Sequence, residues 1–176
     1  MVKKIKPSRI FVLLFFTLFL SGCDNWSWQR YSNKEYKFSI LLPRFWHKEL
    51  GMLDTVVMAL APLRGKQPRF QANTNVVVTE LAQELDLSTF FELNKDALVS
   101  KLATIENLTE GDIYAGMLAG KWLSFEGMAR QVRVKIISAV WIKGKRVYTV
   151  TCTSEAKDFP RYESAFNRVL RSLRVR

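Results

Sequence analysis

Side chains able to do chemistry are sparse in this chain, which has two cysteines, one histidine, and 16 carboxylates among 27 lysines and arginines over 176 residues. His47, in Phe45-Trp46-His47-Lys48, is of the right type for a general base or a metal ligand. Zinc takes several N, S or O protein ligands, and His47 has no second histidine and no nearby cysteine to complete such a set. A surface or strand-end histidine is the simpler reading. Cys152 lies in Val147-Tyr-Thr-Val-Thr-Cys-Thr-Ser154 and alternates onto the strand face of Tyr148 and Val150. That placement predicts a buried structural thiol rather than a nucleophile. The acids show no paired spacing for acid–base work. Gly116-Met-Leu-Ala-Gly120 lacks the Lys-Ser/Thr that closes a phosphate loop, and no Gly-x-Ser-x-Gly is present. These residues call for no metal and no cofactor. One place stays open to an enzyme or small-ligand carrier: a pocket between sheet and helix near Trp46, His47 and Trp122.

The other cysteine stands in a more specific setting. Cys23 closes Leu20-Ser21-Gly22-Cys23, directly after an apolar run from Ile10 to Leu20 and a basic opening that holds Lys3, Lys4, Lys6 and Arg9. A basic start, an apolar stretch of about 7–15 residues and a small-residue cleavage site make a secretory signal peptide. The run is too short to span a bilayer, which takes ~20 residues. Leu-Ser-Gly-Cys resembles the lipobox of bacterial lipoproteins. The resemblance implies that residues 1–22 are removed and that Cys23 becomes the mature N-terminus, carrying a diacylglyceryl thioether. In Gram-negative bacteria it also implies a further acyl chain, such as palmitate, on the amine. Two or more chains hold a membrane stably where one does so only marginally. Asp24 after the cysteine resembles the inner-membrane retention signal of the enterobacterial sorting system, and Asn25 strengthens it. The implied location is the periplasmic face of the inner membrane, with the outer membrane as the alternative.

Four of the basic residues lie in residues 1–22, which leaves 23 against 16 acids, about +7, on the mature chain. Such a balance favours anionic headgroups or an acidic partner, an envelope protein complex or a membrane surface. Nucleic acid is disfavoured by the compartment. The polar stretch from Arg64 to Asn73 reads as an exposed loop whose Arg64, Lys66 and Arg69, beside Phe70, form a candidate docking site for headgroups or partner. Arg130, Arg133 and Lys135 make a second basic stripe that cross-strand acids such as Glu126 can neutralise. With Cys23 taken by lipid, Cys152 is left alone and no intramolecular disulfide is expected.

The elements that must carry these residues are mostly strands. Residues 23–30 read as the lipidated N-terminus and tether, and residues 31–176 as one domain. Trp26 and Trp28 either sit at the headgroup level or begin the first strand. Tyr36–Leu42, Thr55–Ala61 and Asn75–Leu81 are strand-like, and four more candidates follow at about Asp112–Ala119, Lys121–Gly127, Gln131–Ile142 and Arg146–Ser154. Gly116, Gly120, Gly127 and Lys143-Gly144-Lys145 are the expected turns. A helix is expected after Ser88-Thr89, with Glu92 completing a capping box, and another after Asp158-Phe159-Pro160. Arg168, Arg171 and Arg174 sit where cations oppose the dipole of that second helix. The pattern indicates an α+β layered domain.

Tyr36-x-Phe38-x-Ile40-x-x-Pro43-x-x-Trp46 resembles the opening of PsbP-like domains, and Phe159-x-x-Tyr162-x-x-x-Phe166-x-x-Val169-Leu170-x-Ser172-Leu173 resembles their closing helix. The group includes the photosystem II subunit PsbP, cyanobacterial PsbP lipoproteins and DcrB-type envelope lipoproteins. The resemblance implies an antiparallel sheet of about six to eight strands sandwiched between helices, and a non-enzymatic accessory or binding role at a membrane.

Overall fold

The computed structural model describes residues 26–63, 70–100, 104–129 and 131–176. In chain order the elements are β1 (Trp28–Asn33), β2 (Phe38–Pro43), β3 (His47–Glu49), β4 (Val57–Leu60), β5 (Asn73–Glu80), α1 (Leu87–Val99), β6 (Ile105–Ala115), β7 (Leu118–Ala129), β8 (Val132–Lys143), β9 (Arg146–Glu155), α2 (Phe159–Arg171) and β10 (Arg174–Val175). They form a seven-stranded sheet in the order β3-β4-β5-β9-β8-β7-β6 and a three-stranded sheet in the order β1-β2-β10. Every pairing is antiparallel. This is the α+β arrangement the strand-rich pattern implies.

Alternation along the strands separates two cores. On one face of the large sheet Ala139, Trp141, Tyr148, Val150 and Cys152 are buried beneath α2 and β2. Residues of opposite parity, Leu123 and Phe125, point to the other face and pack with Phe91 of α1. The sheet is thus covered by α2 and the small sheet on one side and by α1 on the other. Helix α2 is amphipathic in the simplest way: Tyr162, Ala165, Phe166, Val169 and Leu170 are buried at helical spacing. Among the described residues no helix is long and apolar enough to cross a membrane.

Several local readings change. The first strand takes in Trp28–Asn33, so Trp28 to Arg30 belong to the sheet. Helix α1 is capped by Asp86, whose carboxylate accepts from Thr89 N at 2.9 Å, and not by a Thr89–Glu92 box. That bond and the one from the Thr89 hydroxyl hold the Asp86 carboxyl below its usual range. Asp158 occupies the N-cap position of α2 without a side-chain bond, while Pro160 falls in the first turn as expected. Gly116 and Gly144 do sit in turns, but Gly120 and Gly127 lie inside β7. Gly120 is required by packing: a Cβ there would come within 2.4 Å of Trp141 Cδ1 on the neighbouring strand. Strand β6 begins at Ile105, earlier than expected, with a register shift between Glu106 and Thr109.

Candidate functional site

A cleft of about 310 Å³ opens between α2 and strands β6 to β8. Its floor follows from register. Thr109 pairs with Ser124 and Ser124 with Ile137, which places β6, β7 and β8 residues in one row on the α2 face. Ser124 Oγ donates to Ile136 O at 2.9 Å and Thr109 Oγ1 to Ser124 O at 3.5 Å, so both hydroxyls serve the sheet. Trp122, in the same row, lies over Gly111 of β6, where a Cβ would approach its Nε1 to 3.0 Å. Ile113, Ile137 and Leu170 complete an apolar base.

The rim is polar. Glu163, Asn167 and Arg171 line it from α2 at i, i+4 and i+8, one stripe of the helix surface. Lys135 reaches it from β8, its Nζ 4.6 Å from the Phe159 ring centroid. Among the described residues none of these four side chains has a hydrogen-bond or ion-pair partner. Several other cations on the large sheet are matched. Lys95 bonds Glu92 and Glu110, Lys121 lies 3.5 Å from Asp112, Arg133 bridges Glu126 and Glu106, and Arg146 bonds Glu80 at 2.7 Å. The carboxylate partners hold Lys95, Arg133 and Arg146 above their usual ranges. The cleft therefore combines an apolar base with a largely exposed rim of polar groups of both signs.

The residues singled out from sequence are distributed differently. Cys23, Asp24, Asn25, Arg64, Lys66, Arg69 and Arg130 lie outside the described residues. Cys152 is free and fully buried, with its thiol pushed up to about 12 by burial. The pocket expected near Trp46, His47 and Trp122 does not assemble. Trp46 is 4% exposed, wedged against Trp26, Tyr162 and Phe166 with ring centroids 5.9–6.2 Å apart. His47 is exposed on edge strand β3, 3.5 Å from Glu49. Strand β7 with Trp122 is five places away in the sheet, roughly 24 Å at ~4.8 Å per strand. Only Trp122 lines the cleft. Among the described residues no group of His, Cys, Asp or Glu is arranged to hold a metal ion. Arg133 is neutralised by Glu126, diagonal to it across β7 and β8, where Met128 stands directly opposite Arg133 and Lys135 opposite Glu126. Arg168 stacks over Trp28 at 4.7 Å. Glu163 and Asn167 carry no signal of their own in the sequence; the i, i+4 stripe beside the buried face of α2 is the sign that would have found them.

No protein-family model matches the chain, and no curated protein matches it in sequence. Solved structures do match. The solution structure of cyanobacterial PsbP (CyanoP) from Synechocystis sp. PCC 6803 covers 88% of this chain and 96% of its own, at TM-score 0.63 and 15% identity. LpqN of Mycobacterium tuberculosis, described as involved in cell envelope biogenesis, covers 86% and 91%, at TM-score 0.67 and 7% identity. The Ran-binding protein Mog1p of Saccharomyces cerevisiae covers 85% and 96%, at TM-score 0.54 and 12% identity. At such low identities the likeness is one of architecture: two helices about a large antiparallel sheet, traced over nearly the whole of each neighbour. The chain folds as a PsbP-like domain.

Proposed function

We propose that this protein is a lipid-anchored envelope lipoprotein, held through Cys23 at the periplasmic face of the inner membrane, that acts as a non-enzymatic accessory or binding subunit. The cleft between α2 and β6–β8 is the seat of its partner. The observation that carries the binding reading is the set of unpartnered side chains, Lys135, Glu163, Asn167 and Arg171, around an apolar base. Glu163, Asn167 and Arg171 are exposed and Lys135 is partly buried, so all four are free to engage a ligand or partner, while the apolar base supplies area that binding removes from water. The anchor reading is supported by the Leu-Ser-Gly-Cys motif behind its apolar run. A role at the envelope is supported by the fold shared with LpqN, and a protein-binding role by the fold shared with Mog1p. Arg64, Lys66 and Arg69 add a basic segment suited to headgroups or an acidic protein surface.

A smaller occupant is the second reading. The volume of the cleft, about 310 Å³, falls at the low end of small-molecule sites, and Trp122 offers a ring face for stacking. Photo-crosslinking from Asn167 in native membranes separates the two. A discrete protein adduct is expected, and the double charge reversal Lys135→Glu with Arg171→Glu is expected to reduce it about tenfold without shifting the melting temperature. Recovery of only lipid or metabolite favours the carrier. An adduct unaffected by the charge reversal removes the cleft from the account.

A further inference from the structure

The two ends of the molecule differ in chemistry, and the length of the N-terminal link decides which of them meets a membrane. At one end Arg44 N donates to Ser27 O at 2.8 Å, setting the Arg44–Phe45 turn beside Trp26. Phe45 is 75% exposed, and Arg44 is exposed next to it. His47 pairs with Leu60, so the chain leaves β4 on the side where it enters β3; there Leu63 is 65% exposed. The Trp26 ring is fixed on the core, 6.2 Å from Trp46 and 6.2 Å from Tyr162. The opposite end is made of the β1–β2 turn and the β8–β9 hairpin. Tyr148 Oη donates to Tyr36 O at 2.9 Å and Arg146 to Glu35 O at 3.3 Å, which ties the two turns together. That end presents Lys34, Lys37, Lys143, Lys145 and Arg176. Ten residues of β9 run from one end toward the other, roughly 30 Å at ~3.3 Å per residue.

We propose that the end formed by Trp26, Arg44, Phe45 and Leu63 rests on the anionic bilayer surface, and that the cationic hairpin end is turned away from it. The proposal rests on lipidation of Cys23. Cys23 precedes Trp26 by three residues, and an extended chain gains at most ~3.6 Å per residue, so the anchor lies within roughly 11 Å of a side chain seated on the core. Two exposed apolar side chains, an indole and a cation are the composition that settles at the headgroup boundary. The hairpin end carries more positive charge, but about 30 Å is three to four Debye lengths at physiological ionic strength, so its cations do not sense the headgroups. Reach decides the orientation over charge. The lysines of the hairpin end are then left to face the aqueous side, where an acidic partner can meet them.

The test uses the full-length lipidated protein in vesicles containing phosphatidylglycerol. Cys152 is fully buried with its thiol pushed up to about 12, and Cys23 is capped by lipid, so one introduced cysteine takes a fluorescent maleimide selectively. Phe45→Cys and Leu63→Cys report the near end; Lys145→Cys reports the far end. With brominated lipids in the bilayer, both near-end labels are expected to lose at least half their emission and the Lys145→Cys label to keep it. Quenching of the Lys145→Cys label, or of none of the three, overturns the orientation. Mass spectrometry of the same sample distinguishes the failures. An unacylated Cys23 refutes the anchor and the orientation together, whereas an acylated Cys23 with unquenched near-end labels refutes the orientation alone.

Discussion

At Cys152 two influences on a thiol compete. Thr74 Oγ1 lies 3.3 Å from the sulfur and favours the charged form, but complete burial penalises it more and pushes the thiol from 9.0 to about 12. The unfolded chain releases this proton from about pH 9, while the folded chain keeps it to about 12. Between those limits the folded state binds more protons, so stability falls as pH rises, by about 1.4 kcal/mol per pH unit, and is unaffected below pH 9. Denaturant unfolding at pH 8 and pH 10.5 is expected to show wild type losing about 2 kcal/mol more than Cys152→Ala over that interval; parallel losses contradict the buried-thiol account. The burial of Cys152 was legible from sequence because it follows from alternation with Tyr148 and Val150, a local property of one strand. The role of Glu163 was not. Nothing distinguishes it in sequence from a solvated helix residue until β6 to β8 are set beneath it.

Elements were readable where burial imposes a period and unreadable where it does not. Helix α2 and strands β8 and β9 carry their patterns because one face or both are enclosed. Strand β1 (Trp-Gln-Arg-Tyr-Ser-Asn) and the first half of β6 are edge strands with mostly exposed side chains, and they show no alternation to read. Gly120 misled for another reason: a glycine between strand-like runs looks like a turn, but here it makes room for the Trp141 indole of the adjacent strand. Gly120→Ala is accordingly expected to destabilise by about 2 kcal/mol through overpacking, read as a lower denaturant midpoint at unchanged slope. An unchanged midpoint would mean that Trp141 moves aside freely and that this packing does not fix the β7–β8 register.

For the whole molecule, layer count and helix placement were legible, because the order of strands and helices restricts how they stack. Strand order was not. The neighbours β5 and β9 are separated by more than sixty residues, and no local pattern announces that pairing. The same gap explains why Trp46, His47 and Trp122 looked like companions in sequence and stand far apart in the sheet. What joins the fold to the proposed function is position: a cleft and an apolar end on a domain whose Trp26 follows three positions after Cys23, the last residue of a sequence that resembles a lipobox. The proposed anchor at that distance would raise the local concentration of the cleft at a membrane partner with no further contact. The central claim is tested most directly by expressing the full-length chain and Cys23→Ser in a Gram-negative host with labelled palmitate, then separating membranes on a density gradient. Wild type is predicted to carry the label and to sediment with the inner membrane, and Cys23→Ser to carry none and leave that fraction. An unlabelled wild-type chain, or a Cys23→Ser chain that fractionates as wild type does, would contradict the account.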